Sequence, residues 1–310
     1  MRSSTSSLVR TLLFVLMALV ATAPAWAQAS LTLRKIKETG VISIGYRDGS
    51  IPFSYLDGTQ QPVGYAMDIC HLIVEEVQRR LKIENLQIKL TPVNSSTRIP
   101  MVANNTIDLE CGTTSNTLER QNMVAFTVTT FLASSRLATK RGSNISDFED
   151  LQGKTVVSTA GTTSMARLVE LNQQGSLRMR ILAGKDHAQS FRLLETDRAA
   201  VFVMDDVLLY SMIAMSREPS GYIVTGKPLS VEPYSIVLRK DDPEFKKLAD
   251  DTIVKLFRNG GIHALHRKWF QTPIPPRGIN LEQPMSEAFK KLIHQPKDSG
   301  NPADYISSSN

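Results

Sequence analysis

Short apolar runs alternate with longer amphipathic ones from Leu31 onward, which predicts βαβ units and a mostly parallel sheet. Val41–Tyr46 reads as a first strand, ending at Arg47 with the turn residues Asp48, Gly49 and Ser50 behind it. Ile51–Tyr55 continues in extended form to the turn at Asp57-Gly58. Asp68 can cap a helix that runs to about Leu81, because Ile69, Leu72, Ile73, Val77 and Leu81 share one face. His71 lies on that helix among apolar neighbours and is read as structural rather than as a ligand. Leu86, Ile88 and Leu90 alternate as a second strand ending near Val93, and Ile107–Glu110 forms a third. After a connection over Phe126–Arg136, strands are expected at Lys154–Thr159, Arg178–Leu182, Ala200–Met204, Tyr222–Thr225 and Tyr234–Arg239. Helices are expected after the turn Ala160–Ser164 to about Leu171, from His187, and over Val207–Met215. Others follow from Asp242-Pro243 with Phe245, Leu248, Ile253 and Leu256 inward, over Ile262–Phe270 and over Met285–Ile293. Gln271–Pro276 is a proline-rich exit, and the polar tail from Gln295 is expected to be mobile.

The first 27 residues stand outside this pattern. Arg2 and Arg10 precede and border an apolar run, Thr11–Val20, too short to span a bilayer, and Ala25-Trp26-Ala27 fits the small-x-small cleavage rule. They read as a secretory signal, cleaved near Ala27, with no cysteine nearby to take a lipid. No later run is apolar enough to span a membrane, so the expected mature product is soluble and exported. Removing Arg2 and Arg10 with no acids takes the net charge from +6 to +4. That charge is spread rather than blocked, which argues against nucleic acid and mildly favours small anions. The two cysteines, Cys70 and Cys111, can join in an oxidising compartment or remain buried thiols. Neither has metal-ligand company at a regular spacing, so no metal is expected.

Candidate chemistry concentrates in Ser95–Gln121. Arg98 and Arg120 stand near its ends, with Ser95, Ser96, Thr97, Thr113, Thr114, Ser115 and Asn116 around the apolar Ile107-Asp108-Leu109. Two planar forks of donors with hydroxyls between them fit a ligand with two acidic groups; the alternative is that the arginines are surface ion-pair partners. Arg47, Ser95 and Thr113 each follow an expected strand, so all three can face one crevice beyond the carboxyl ends of a sheet. Ala160-Gly161-Thr162-Thr163-Ser164 opens a helix whose free N–H groups suit a carboxylate, without the pattern of a nucleotide-binding loop. Asp205 and Asp206 follow the Ala200–Met204 strand; one can cap the next helix while the other receives an ammonium group.

Seven stretches in unbroken order between about Leu31 and Pro276 carry a resemblance: GYRDGSIPFSY, VGYAMDIC, RIPMVANNTIDLECGTTSNTLERQ, STAGTTS, KDHAQSF, VFVMDDVLL and YSIVLRKDDPEFKKL. Together they resemble the glutamate/aspartate-binding proteins of Gram-negative ABC transporters, in the periplasmic amino-acid-binding family (solute-binding family 3, type II fold). The resemblance implies a two-lobed α/β fold closing by hinge motion. Lobe one spans 31–134 plus 233–310, lobe two 135–232, with crossings near Ser135 and Pro233. It implies that Arg120 holds the ligand α-carboxylate with backbone help at Thr163, and that Asp205 takes the α-ammonium assisted by Thr113. Arg47, Ser95, Arg98 and His187 then grip a side-chain carboxylate. Thr113 stands where a serine is common, and Ile236 where some relatives have a cysteine. It also implies L-glutamate or L-aspartate as ligand, membrane permease subunits as partners, a monomer in the periplasm, and neither catalysis nor cofactor. Should His187 be protonated in the complex, affinity is expected to weaken at high pH. Two other classes share the fold: a cyclohexadienyl (prephenate/arogenate) dehydratase, for which only His187 and Glu110 offer acid–base chemistry, and a soluble ligand-sensing partner of a receptor.

Overall fold

A computed structural model describes residues 30–175 and 177–306; the export signal expected over 1–27 lies outside them. The helices and strands in chain order are α1 (Leu31–Thr39), β1 (Val41–Tyr46), β2 (Gly49–Ser50), β3 (Ser54–Leu56), β4 (Pro62–Val63), α2 (Tyr65–Leu81), β5 (Gln87–Pro92), α3 (Arg98–Ala103), β6 (Leu109–Cys111), β7 (Val124–Phe126) and β8 (Phe131–Lys140). The chain continues with β9 (Thr155–Thr159), α4 (Thr163–Gln173), β10 (Arg180–Gly184), α5 (His187–Glu195), β11 (Val201–Asp205), α6 (Asp206–Met215), β12 (Tyr222–Tyr234), β13 (Val237–Arg239), α7 (Pro243–Arg258), α8 (Gly261–Phe270) and α9 (Glu287–His294).

Two five-stranded sheets organise these elements. The first has the order β5-β1-β6-β13-β7 and the second β10-β9-β11-β8-β12. In each, three strands are parallel: Ile44 of β1 registers with Leu90 and Leu109, and Val156 of β9 with Ile181 and Val201. The remaining two strands of each sheet are joined by antiparallel pairings, so that β13 and β8 run against the other four of their sheets. The mostly parallel expectation holds, with one reversed strand in each sheet, β13 in the first and β8 in the second. In the second sheet the reversed strand is β8, which carries the chain out of the first sheet's layer, and β12 brings it back, paired from Phe131↔Tyr234 to Lys140↔Tyr222. β12 is thus one long strand with a register shift between Thr225 and Ser230, where the sequence suggests a stop at Thr225. The strand expected over Tyr234–Arg239 divides, with Ser235 and Ile236 between β12 and β13.

An aromatic cluster fixes both crossing strands to the first sheet's side. Phe131 opens β8 and Tyr234 closes β12; Phe53 lies 4.9 Å from the Phe131 ring and 5.2 Å from that of Tyr234, and Phe270 stacks on Phe131 at 5.1 Å. Each such contact adds about 0.5–1.5 kcal/mol beyond the area it buries.

Three expectations change. Helix α2 starts at Tyr65, not Asp68, because Gly64 (φ 139°) turns the chain where a Cβ would come within 2.2 Å of Phe53 O. Asp68 sits inside the first turn and accepts from Lys268 Nζ and Trp269 Nε1, both at 2.7 Å, which ties α2 to α8. In α7 the inward residue is Phe257, with Leu256 only half-buried. The tail over residues 296–306 is docked rather than loose. Lys297 O accepts from Thr129 N–H at 2.9 Å, Asp298 O accepts from Asn116 Nδ2 at 2.7 Å, and Tyr305 is buried with its hydroxyl 2.9 Å from Thr129 Oγ1. Backbone acceptors and one aromatic ring hold it, which polar composition conceals.

Cys70 of α2 and Cys111 at the end of β6 form a disulfide with Cα atoms 6.2 Å apart. It closes a 41-residue span, a constraint worth about 4 kcal/mol on the chain-entropy account.

Candidate ligand-binding site

The carboxyl ends of the parallel strands of both sheets meet across a cleft. From the first sheet come Arg47 after β1, Ser95 beyond β5, Arg98 at the start of α3, and Thr113 after β6. From the second come Thr163 opening α4, His187 opening α5, and Asp205 ending β11. Arg47, Ser95, Arg98, Thr113, Arg120, His187 and Asp205 are all buried, and Thr163 is half-buried. The alternative that Arg98 and Arg120 are surface ion-pair partners is thereby excluded.

One hydrogen-bonded chain crosses the cleft. Arg47 Nη2 donates to Ser95 Oγ at 2.9 Å and lies 3.3 Å from His187 Nε2. A guanidinium only donates, so Nε2 accepts and the imidazole proton sits on Nδ1, 3.0 Å from Thr159 Oγ1. Thr159 Oγ1 is in turn 2.8 Å from Ser190 Oγ, which donates to Asp186 O at 2.9 Å. Burial drives the His187 pKa well below its ordinary 6.5, and the charges of Arg47 and Arg98 push it the same way. His187 is therefore a neutral acceptor for Arg47. In the ligand-free cleft burial and two guanidiniums favour the neutral ring; a ligand carboxylate beside it would act in the opposite sense.

Arg98 is only 2% exposed, yet its Nε and Nη1 have no hydrogen-bond partner among the described residues, and neither does Arg47 Nη1. Burial lowers the Arg98 pKa well below the guanidinium range, with repulsion from Arg120 and Arg47 adding to it. A buried cation with free donors needs an anion. Arg120, in a 3-10 turn over Arg120–Asn122, donates through Nη1 to Ser115 O at 2.8 Å and through Nη2 to Gly161 O, across the cleft, at 3.2 Å.

The paired aspartates divide their work. Asp206 Oδ1 accepts from Ser134 N–H at 3.1 Å and from Val207 N–H at 2.8 Å, which makes it a structural cap. Asp205 faces the cleft, accepts from the Tyr234 hydroxyl and lies 3.4 Å from Ser164 Oγ. Burial raises its pKa well above the usual carboxylate value, and Glu232 adds to the rise while the Tyr234 hydrogen bond opposes it. A cationic group beside Asp205 would reverse that shift.

Sequence reasoning passes over Tyr234 and Glu232. Glu232 is buried in β12 and accepts from Thr163 Oγ1 at 2.8 Å. The signal available was an acid and a tyrosine inside the run LSVEPYSIV, where β-strand neighbours demand a reason for a buried charge. Among the described residues no cluster of three or more His, Cys, Asp or Glu could hold a metal ion, and no helix is long and apolar enough to cross a membrane.

A cleft between two α/β lobes, lined by buried cations on one side and by acids facing them on the other, defines a two-lobed solute-binding protein of type II fold. The sequence matches the family described as bacterial extracellular solute-binding proteins, family 3, over residues 42–272, and the chain belongs to that family. It is 48% identical over 269 residues to an L-glutamate/L-aspartate-binding protein of Pseudomonas aeruginosa, covering 86% of this chain and 89% of that one. It is 47% identical over 270 residues to a glutamate/aspartate import solute-binding protein of Salmonella typhimurium, covering 87% and 89%. Among solved structures it is similar to a mutant of ArgBP from T. maritima, with a TM-score of 0.69, 25% identity, and coverage of 78% of this chain and all of that one. Both sequence relatives are solute-binding proteins rather than enzymes, and the dehydratase alternative gains nothing from them.

Proposed function

We propose that this protein captures L-glutamate or L-aspartate in the periplasm and delivers it to the permease of an ABC importer. The observation that carries this reading is the set of free buried donors, Arg47 Nη1 and Arg98 Nε and Nη1, beside Ser95 and His187. They fit the side-chain carboxylate. Arg120, with the N–H groups at the start of α4 near Thr163, fits the α-carboxylate, and Asp205, with Thr113 assisting, fits the α-ammonium. Preference between the two acids turns on about one methylene of pocket depth. The lobes divide at 134/135 and 232/233, where β8 and β12 cross. The chain acts as a monomer after cleavage near Ala27. The relatives' names support transport over both the dehydratase and the receptor-partner readings.

Calorimetric titration of the mature protein, unfolded and refolded to remove carried ligand, tests this with L-glutamate, L-aspartate, L-glutamine and L-asparagine. The acids should bind at least about a hundredfold more tightly than the amides, because an amide leaves two buried guanidiniums uncompensated. Arg98→Met should abolish that discrimination. Equal binding of acids and amides would remove the side-chain clamp, and no binding of any of the four would overturn the reading.

A further inference from the structure

Glu110 is the one fully buried acid on the first sheet's side of the cleft that the binding roles above leave without work. It is the second residue of β6, wholly shielded from solvent, with Oε2 accepting from Thr114 Oγ1 at 2.7 Å. Its other oxygen, Oε1, has no hydrogen-bond partner among the described residues. Gly112 explains how it fits. A Cβ there would come within 2.3 Å of Glu110 Oε1 and 2.8 Å of Arg47 Cγ, so the carboxylate and the Arg47 stem pack over the same bare stretch of backbone. The negative charge of Glu110 is the largest charge effect opposing the burial penalty at both Arg47 and Arg98, and it acts on Arg120 as well. It does this without occupying Arg47 Nη1, Arg98 Nε or Arg98 Nη1, which remain without partners.

The charges around it are accounted for element by element. Arg47 follows β1, Arg98 opens α3, and Arg120 lies in its 3-10 turn; across the cleft Asp205 and Glu232 attract Arg120, and Asp205 attracts Arg98. Arg47, Arg98 and Glu110 together leave one net positive charge, which a single side-chain carboxylate neutralises. Arg120 faces both Asp205 and Glu232, and the ammonium and α-carboxylate of an amino acid balance each other.

We propose that Glu110 is a built-in counter-anion of the side-chain clamp, competing with the ligand's carboxylate for Arg47 and Arg98 and so setting how strongly the clamp prefers acids to amides. This rests on the acidic amino-acid reading above. Three roles for Glu110 give different outcomes in one measurement, titration of Glu110→Gln with L-glutamate and L-glutamine. A counter-anion predicts that L-glutamate binds about fivefold or more tighter to the variant, while L-glutamine, having no anion to gain, changes little. Glutamate and glutamine weakening together would mean Glu110 only shapes the pocket. Collapse of both would mean it receives the ammonium directly. Either result overturns the proposal. Absence of glutamate and aspartate binding by the unmutated protein would remove the underlying reading as well, which separates the two failures.

Should Glu110→Gln not fold, the unmutated protein still decides. A clamp of one net charge should bind O-phospho-L-serine less well, relative to L-cysteate, as pH rises from about 5 to 8 and the phosphate takes its second charge near pH 6. The sulfonate keeps a single charge throughout. A ratio that holds or rises over that range, or no phosphoserine binding at about pH 5, overturns the proposal.

Discussion

Asp205 is held between two demands. Burial and the nearby charge of Glu232 favour its neutral form, while an ammonium ligand needs the carboxylate. A folded-state pKa above the unfolded value contributes stability that is full below about pH 4 and is lost as pH rises through the folded value. His187 acts in the opposite sense. Its folded pKa lies below 6.5, so its contribution is present above that pH and is lost as pH falls through 6.5 toward the folded value. Asp205→Asn keeps an acceptor for the Tyr234 hydroxyl and removes the charge. Without ligand, the melting temperature of the variant should decline less than that of the unmutated protein as pH rises from about 5 to 8, and amino-acid binding should weaken by about a hundredfold or more. Scanning calorimetry and titration measure the two halves. Unchanged binding would take Asp205 out of the site. Arg47, Ser95, Thr113 and Asp205 could be placed from sequence because each ends an apolar run, and a strand end in an α/β sheet faces the crevice. Position alone left the choice between Asp205 and Asp206 open, because it depends on which carboxylate meets the Ser134 and Val207 N–H groups, and only the resemblance picked Asp205.

At the scale of elements, the parallel strands and the helices between them follow from periodicity, and their boundaries fall within a few residues of expectation. What periodicity could not give was anything set by contact between distant parts of the chain. The start of α2 depends on Gly64 meeting Phe53, the full length of β12 depends on its pairing with β8, and the Cys70–Cys111 bridge depends on α2 lying over β6. The tail is the largest such case. Asp298 O accepts from Asn116 and, at 3.2 Å, from Gln121 Nε2, while the Asp298 carboxylate pairs with Lys246 Nζ at 2.8 Å. Asn116 and Gln121 bracket Arg120, so the tail braces the segment that carries it. A chain ending at His294 should therefore fold, melt several degrees lower from the loss of about 2–3 kcal/mol of burial and hydrogen bonding, and bind ligand more weakly. Thermal melts and titration of the shortened chain would show this. Affinity equal to that of the full chain would mean that the Arg120 segment holds its place without the tail.

The whole molecule brings its two lobes together through backbone as well as side chains. Gly161, at φ 75° in the turn before α4, would place a Cβ 2.7 Å from Ser95 O and 2.8 Å from Ser96 Cα on the facing lobe. Neither neighbour is the end of a flexible side chain, so a methyl group there can be accommodated only by opening the cleft. Gly161→Ala also strains its own backbone, by about 1–2 kcal/mol for the left-handed conformation. Gly142 separates the two effects, since it has φ 84° and a Cβ there would meet nothing within 4 Å. Both alanine variants should melt lower by a similar amount without ligand. Gly161→Ala alone should lose affinity, by about tenfold or more, because part of the binding energy then opposes a clash instead of closing the lobes. Small-angle scattering at saturating ligand supplies the geometric half of the test. The radius of gyration of Gly142→Ala should contract as the unmutated protein's does, and that of Gly161→Ala should stay larger. If Gly161→Ala contracts fully and binds normally, the lobes close around ligand by a route in which Gly161 and Ser95 do not meet.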